Sequence, residues 1–199
     1  VSDYHRYPIA DNDSPALSAD RLEYTLGNLY NYGFAALDTV GDFYRDLTVG
    51  TDERGVPEVA FRSRESAAAF AQAALCTARV YVADEDRFAM ESLALLLRDA
   101  IERGVLTERD LWKTEPEVIA VLKNDLSSGE GWRRYRAYSR ILRCEERPKT
   151  GDWLQVNAKK RWIDPLTVGG GRVSVWDENV RRQMEQFCAL DFGCWLSAE

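Results

Sequence analysis

The sequence predicts a mainly α-helical protein with a small β-hairpin and an α+β segment at its C-terminal end. Apolar residues recur at helical spacing over most of the first 128 residues. Two short apolar runs there flank a polar stretch that contains glycine and proline, as in a hairpin. After residue 128 short apolar runs alternate with glycines and prolines. We therefore divide the chain into a helical body over residues 1–128 and a smaller α+β subdomain over residues 129–199.

The first helix is the most strongly marked element. Residues 1–16 precede it and are expected to form a turn-rich loop, because Pro, Asp, Asn and Ser dominate their second half. Ser18 is a suitable N-cap, and Leu17 and Leu22 have the spacing of a hydrophobic staple. Apolar residues then repeat at helical spacing until Gly33.

Further elements of the helical body follow from periodicity and capping residues. The apolar runs at 47–49 and 58–61 predict the hairpin. A capping box at 114–117, with proline in the first turn, predicts another helix start. The remaining helices are expected at 36–45, 63–82, 85–102 and, as a short one, from residue 107.

The C-terminal subdomain is expected to contain short strands and one helix. Gly169–Gly171 is expected to form a turn, because it lacks the Lys and Ser or Thr of a phosphate-binding loop. A helix is expected over 178–187. Strands are expected at 141–144, 153–157, 173–175 and 192–196.

Composition limits the classes of protein that remain. With 45% hydrophobic residues among 199, the chain can bury a sizeable core. No apolar run approaches the roughly 18 residues of a membrane span, so no membrane partner is expected. The four cysteines lack C-x-x-C spacing, which favours buried free thiols in a reducing cytoplasm over disulfides or zinc. The chain begins with Val rather than Met, so its natural N-terminus is expected to be missing or processed.

Charge is distributed unevenly. The net charge is −7, yet residues 130–165 hold ten basic and five acidic side chains, against 16 basic and 28 acidic elsewhere. Such a segment attracts a phosphate-bearing ligand or docks on the acidic body. The acidic pI near 5.0 argues against nucleic acid as the partner.

One motif points to chemistry. Asp20 opens the first helix within the string Leu-Ser-Ala-Asp-Arg-Leu-Glu-Tyr-Thr-Leu at 17–26, which follows a Pro- and Asp-rich loop at 7–15. This region resembles the HD-domain metal-dependent phosphohydrolases, whose signature is a His, a His-Asp pair and a distant Asp at a helix start. Asp20 matches that last Asp, and residues 21–24 match those that follow it. The stretch 164–166 is similar to the tail of one bacterial branch.

The resemblance implies an HD-like helical body and a bacterial hydrolase acting on a phosphate ester or nucleotide-like substrate. Asp20 would be a catalytic metal ligand for Mn, Fe, Ni, Zn or Mg, and Arg21 would orient a substrate phosphate. Asp11 would hold the water or a His behind the metal ligands and, with Arg21, would belong to the substrate-binding residues. From the residues alone, Asp20 is also consistent with an ordinary first-turn acid, Arg21 with a salt-bridge former and Asp11 with an Asx-turn former.

The sequence departs from the family pattern N-terminal to Asp20. His5 is its single His, and no His-Asp pair exists. The missing ligands are expected in an absent N-terminal segment or a second polypeptide; otherwise the site has decayed. This chain alone is expected to be inactive and to bind metal poorly or not at all. A second copy of the chain is also an open partner.

The competing hypothesis is a non-catalytic helical binding module. Its basic 130–165 segment, in which aromatic residues alternate with Arg and Lys, would contact nucleic acid or an acidic partner. Asp20 would then be purely structural.

Overall fold

The protein is mainly α-helical with small β elements, which confirms the predicted fold class. The computed structural model describes residue 3 and residues 6–199, and His5 lies outside the described residues. The α-helices are α1 (Ala19–Asn31), α2 (Leu37–Arg45), α3 (Arg64–Tyr81), α4 (Asp84–Glu102), α5 (Glu115–Asn124), α6 (Leu126–Ala137), α7 (Val173–Trp176) and α8 (Glu178–Cys188). A short 3-10 helix spans Glu108–Trp112. The strands are β1 (Leu47–Thr51), β2 (Pro57–Phe61), β3 (Ile141–Cys144), β4 (Leu166–Thr167), β5 (Gly171–Arg172) and β6 (Trp195–Ala198).

Two compact units divide these elements. The first unit holds the described residues up to Tyr81 together with Lys159–Leu190, and the second holds Val82–Ala158 with Asp191–Glu199. This division differs from a boundary at residue 129, which falls inside α6. The difference arises because residues 166–172 pair with the hairpin strand β2 and so belong to the N-terminal elements.

In the first unit a four-stranded sheet has the order β1-β2-β4-β5. The predicted hairpin is present, with Leu47 opposite Phe61 and Thr51 opposite Pro57. Strand β4 lies parallel to β2, and β5 returns antiparallel to β4 around the predicted glycine turn. The C-terminal part of the chain thus extends the N-terminal hairpin into a larger sheet.

Helix α3 is the central element of the first unit. It contacts α1, α2, α7, α8 and strands β2 and β4. Its buried alanines, spaced three or four residues apart, allow neighbouring elements to approach closely. Phe70 of α3 is fully buried and meets the ring of Phe61 at 5.0 Å and that of Phe43 at 5.6 Å between centroids.

The second unit packs α4, α5, α6 and a two-stranded sheet around two apolar clusters. One cluster centres on Phe88, Cys194 and Leu196. The other centres on Ala100, Leu106 and Leu122. Strands β3 and β6 pair antiparallel, so the end of the chain returns to close this unit.

Helix α6 was not predicted, because Gly129 and Gly131 suggested a break. Asp125 caps its start by accepting a hydrogen bond from the Ser128 amide at 2.8 Å. A Cβ at Gly131 would lie 2.8 Å from Cδ1 of Leu96 on α4. That glycine therefore permits close helix packing rather than ending the helix.

Two predicted strands were wrong. Residues 173–175 lie in α7, because β5 ends at Arg172 and the Asp164 carboxylate accepts a hydrogen bond from the Ser174 amide at 3.0 Å. Residues 153–157 contribute a single bridge, between Leu154 and Leu196. The last strand begins at Trp195 rather than at residue 192.

The remaining sequence predictions agree with the structure in outline. The helix at 178–187 is confirmed as α8, and the capping box at 114–117 is confirmed at the start of α5. All four cysteines are free, although only Cys194 is buried and Cys76 is exposed. In the described part of the chain no helix is both long and apolar enough to cross a membrane.

The aromatic core yields a stability prediction. Replacing Phe70 by Ala is expected to lower the free energy of unfolding by about 3–5 kcal/mol, because it leaves a cavity between two other rings. Urea denaturation followed by circular dichroism measures the change. Tyr44→Ala, at a side chain that is 67% exposed, is the control and should stay within about 0.5 kcal/mol of the parent. A Phe70→Ala loss as small as that of the control would contradict the packing described.

Candidate functional site around the start of α1

The N-terminal loop is anchored directly on the first turn of α1. The amides of Ala19 and Asp20 donate to the carbonyls of Ile9 and Ala10 at 2.8 and 3.1 Å. The first amides of a helix have no partner within the helix, so the loop satisfies two of them. Ser18 caps the helix as predicted, accepting from the Arg21 amide at 3.2 Å. The start of α1 is therefore held from both sides.

Arg21 is buried beneath this loop. Its two terminal nitrogens donate to the backbone carbonyls of Asn12 and Ala16. A buried guanidinium that meets carbonyls fixes the path of the loop around it. Both nitrogens are therefore already used by the protein itself, and this arrangement favours a positioning role. Contact between Arg21 and a substrate phosphate stays a prediction that no contact here supports.

Asp20 has the opposite environment. It is exposed in the first turn of α1, and its carboxylate makes no hydrogen bond or ion pair within the described residues. The N-terminal end of a helix favours an ionised carboxylate, because the helix dipole is positive there. The side chain is therefore an exposed carboxylate on a rigid backbone, without a partner in the described part of the chain.

A single carboxylate does not by itself form a metal site. Among residue 3 and residues 6–199, no group of three or more His, Cys, Asp and Glu side chains is arranged to hold a metal ion. Metal ions of the expected kinds need several such donors at once. The described residues thus do not fit a complete metal centre.

Asp11 lies in the anchored loop and forms a local turn. Its Oδ1 accepts a hydrogen bond from the Asn12 amide at 2.8 Å, and the Asn12 side chain donates to the Pro8 carbonyl at 3.0 Å. Asp11 also lines a cavity of about 680 Å³, which Asp20 and Arg21 do not line. The hydrogen bond from the Asn12 amide supports the turn-forming interpretation of Asp11. A role for Asp11 toward a metal-bound water stays a prediction.

This cavity lies between the loop, the turn of the β1–β2 hairpin and Arg172. Its ionisable side chains are Asp11, Asp13, Asp52, Glu53, Arg54, Glu58 and Arg172. Arg172 is engaged by Glu58 at 2.9 Å and by Glu53 at 2.9 Å, and its Nη1 donates to the Asp164 carbonyl at 2.9 Å. Carboxylates therefore dominate the cavity, and this arrangement does not favour a phosphate there.

Asp52 anchors the hairpin turn at the edge of the cavity. Its carboxylate accepts from the amides of Arg54 and Val56, both at 2.8 Å, and from the Arg54 guanidinium at 3.0 Å. Burial alone would raise the pKa of this carboxyl, but those hydrogen bonds lower it below its ordinary value. Asp52 therefore stays ionised near neutral pH and acts as a structural residue.

Sequence reasoning missed the buried pair of Glu58 and Arg172. The available signal was an acid within the apolar run 58–61, since a charge in a buried strand needs a partner. The identity of that partner, 114 residues away, had no signal in the sequence. Asp164 was noticed only as part of the resemblance, and the structure gives it bonds to Ser174.

The basic 130–165 segment is shared between the two units rather than forming one element. Lys159–Arg161 belong to the first unit, and residues 130–158 belong to the second. Within the second unit, Arg140 pairs with Glu199 and Arg143 with Asp84, both at 3.3 Å. Part of the positive charge is thus neutralised locally, which does not favour a uniform nucleic-acid surface.

Comparison with known proteins gives one distant relative. The chain is 27% identical over 123 residues to the uncharacterized protein YdhJ of Bacillus subtilis. The match covers 62% of this chain and 37% of that protein, so the chain spans well under half of its relative. No family model matches the chain, and no solved structure matches it.

The two neighbours Asp20 and Arg21 are expected to respond differently to mutation. Arg21→Ala removes two hydrogen bonds from a buried cation and should lower the free energy of unfolding by about 3 kcal/mol. Asp20→Asn removes no contact within the described residues and should change it by less than about 0.5 kcal/mol. Urea unfolding of both variants measures the difference. Equal destabilisation would show that Asp20 is structural.

Proposed function

We propose that the chain supplies the C-terminal part of a bacterial, cytoplasmic HD-type metal-dependent phosphohydrolase acting on a phosphate ester or nucleotide-like substrate. The observation that carries the proposal is the state of Asp20. Its carboxylate is exposed and without a partner in the described residues, although the backbone beneath it is tightly fixed. It also lies at the position in the 17–26 string that resembles the last ligand of that family.

The geometry around Asp20 supports a ligand role because it combines a fixed backbone with a side chain that no described residue engages. Metal ligands and catalytic groups work best when their backbone is rigid and their side chain is free to reach a target. Here the loop bonds to Ala19 and Asp20, together with the buried Arg21, provide the rigidity. An ordinary surface acid in the first turn of a helix does not require such an anchored loop beside it.

The remaining ligands are proposed to come from outside the described residues, in a preceding segment or a second polypeptide that carries a His and a His-Asp pair. A divalent metal, when held by the full set, would make a bound water nucleophilic near neutral pH. Within this chain Asp20 contributes one anionic oxygen donor, and Arg21 keeps the donor's backbone in place.

The chain alone is expected to be inactive, since one carboxylate holds a divalent metal weakly. Incubation of the purified 199-residue chain with p-nitrophenyl phosphate and Mn²⁺, Ni²⁺, Zn²⁺ or Mg²⁺ should release no p-nitrophenol above the metal-only control. Metal analysis after desalting should find far less than one metal per chain. Robust metal-dependent hydrolysis by this chain would overturn the proposal that the other metal ligands come from outside the described residues.

The proposed ligand role of Asp20 is tested in a protein that also contains the His and the His-Asp pair. In that protein Asp20→Asn is expected to lower kcat for phosphate-ester hydrolysis at least roughly 100-fold and to lower metal content. Asp38→Asn is the matched control, because Asp38 is likewise an exposed acid in the first turn of a helix, α2. Equal activity of the Asp20 and Asp38 variants would rule out a ligand role.

A further inference from the structure

The second unit contains a cleft that is independent of Asp20. It is formed by residues of α4, residues of α6 and the loop 147–154, all within that unit. Its volume is about 470 Å³, within the range of small-molecule sites. We propose that this cleft binds a small planar aromatic molecule that carries a negatively charged group, of the nucleoside monophosphate class.

Aromatic side chains form one wall of the cleft. The rings of Phe88 and Tyr138 meet edge-on at 5.5 Å, and those of Tyr135 and Tyr138 at 6.0 Å between centroids. Trp153 lies on the loop, where its indole N–H donates to the Thr150 carbonyl at 2.9 Å. These contacts hold the rings in fixed orientations, and a fixed aromatic surface is what a planar base stacks on.

Two arginines on the lining, Arg134 and Arg147, are only weakly paired or unpaired with acids within the described residues. Arg134 approaches Asp152 only to 3.6 Å, with both side chains mostly exposed. Arg147 has no ion pair within the described residues and lies over the Trp195 ring at 5.0 Å. A guanidinium whose edge is free can bind a phosphate through two parallel hydrogen bonds.

The acids of the cleft do not cancel this charge. Besides Asp152, the acidic residue on the lining is Asp99, and the Arg103 guanidinium already holds it at 2.9 Å. An anion in the cleft therefore meets two available guanidinium groups, one neutralised acid and one loosely paired acid. This balance favours an anionic ligand over a cationic one.

One hydroxyl group on the lining lacks a partner within the part of the chain that the structure describes. Ser92 Oγ is buried without a hydrogen-bond partner within the described residues. The phenol rings of Tyr135 and Tyr138 lie on the same lining. An unpaired hydroxyl beside aromatic rings suits the polar edge of a base or a sugar better than a purely apolar ligand.

The size of the cleft favours a single nucleotide over a strand. A cavity of about 470 Å³ accommodates one base with its sugar and phosphate. A nucleic-acid strand would need a continuous basic groove, whereas Arg140 and Arg143 of the same unit are paired with acids.

Calorimetric titration of the 199-residue chain with AMP tests the proposal. We expect saturable binding of AMP, with adenosine and inorganic phosphate each bound at least roughly tenfold more weakly. Arg134→Ala and Arg147→Ala should each weaken AMP binding roughly tenfold. Both side chains are exposed, so circular dichroism of these variants should match the parent.

Arg133→Ala is the matched control. It removes the same charge from the adjacent, exposed position of α6, but Arg133 does not line the cleft. Its affinity for AMP should equal that of the parent. If Arg133→Ala and Arg134→Ala weaken AMP binding equally, the loss of affinity reflects net charge alone, and the proposal is overturned. No saturable AMP binding up to roughly 5 mM would overturn it too.

Two further measurements distinguish a nucleotide cleft from a strand-binding surface and from the site at Asp20. A short single-stranded oligonucleotide that binds far more tightly than AMP and displaces it would show a strand-binding surface instead. Asp20→Asn should leave AMP binding unchanged, because Asp20 does not line the cleft. AMP binding in the cleft and hydrolysis at the Asp20 site are therefore tested independently.

Discussion

Glu58 and Arg172 form a buried ion pair on which three separate parts of the first unit converge. The carboxylate side chain is 3% exposed and the guanidinium 14%. Taking two charges out of water is costly unless their remaining hydrogen-bonding capacity is used. Here Glu58 also accepts from the Leu17 amide at 2.8 Å, and Arg172 donates to the Asp164 carbonyl. The pair thus joins the entry to α1, the hairpin and the segment that carries β4 and β5.

The geometry of Asp20 depends on this junction. Leu17, three residues before Asp20, is tied to Glu58, and the Pro15 carbonyl accepts from the Asp164 amide at 2.9 Å. Arg21 then fixes Asn12 and Ala16 from the other side. The backbone on both sides of Asp20 is thus held by hydrogen bonds, whereas its carboxylate makes none within the part of the chain that the structure describes. That contrast is the physical reason for proposing Asp20 as a ligand donor.

The second unit is held together by apolar packing, in contrast to the ion pair of the first unit. Its apolar clusters are small, and close helix packing at Gly131 allows α6 to lie against α4. The same packing places aromatic rings and incompletely paired arginines around one cleft. The aromatic residues that alternate with basic ones in the sequence thus include ring partners for Phe88 as well as cleft-lining groups. The 130–165 segment therefore contributes both to the packing around Phe88 and to the lining of the cleft.

The sequence by itself determined most of the helices, the hairpin, the Ser18 cap and the position of Asp20 in the first turn of α1. These features depend on local periodicity and on capping groups a few residues apart, which are visible in the chain order. Helix α6 was not predicted because the side chain that packs on Gly131 belongs to α4. The helical turn at 173–175 was not predicted because the carboxylate that accepts from the Ser174 amide belongs to Asp164, ten residues earlier. Only the tertiary structure decided the hydrogen-bond partners of the Arg21 side chain, the partner of Glu58 and the membership of residues 159–190 in the first unit. Those choices depend on contacts between residues far apart in the chain, for which a single sequence carries no periodic or capping signal.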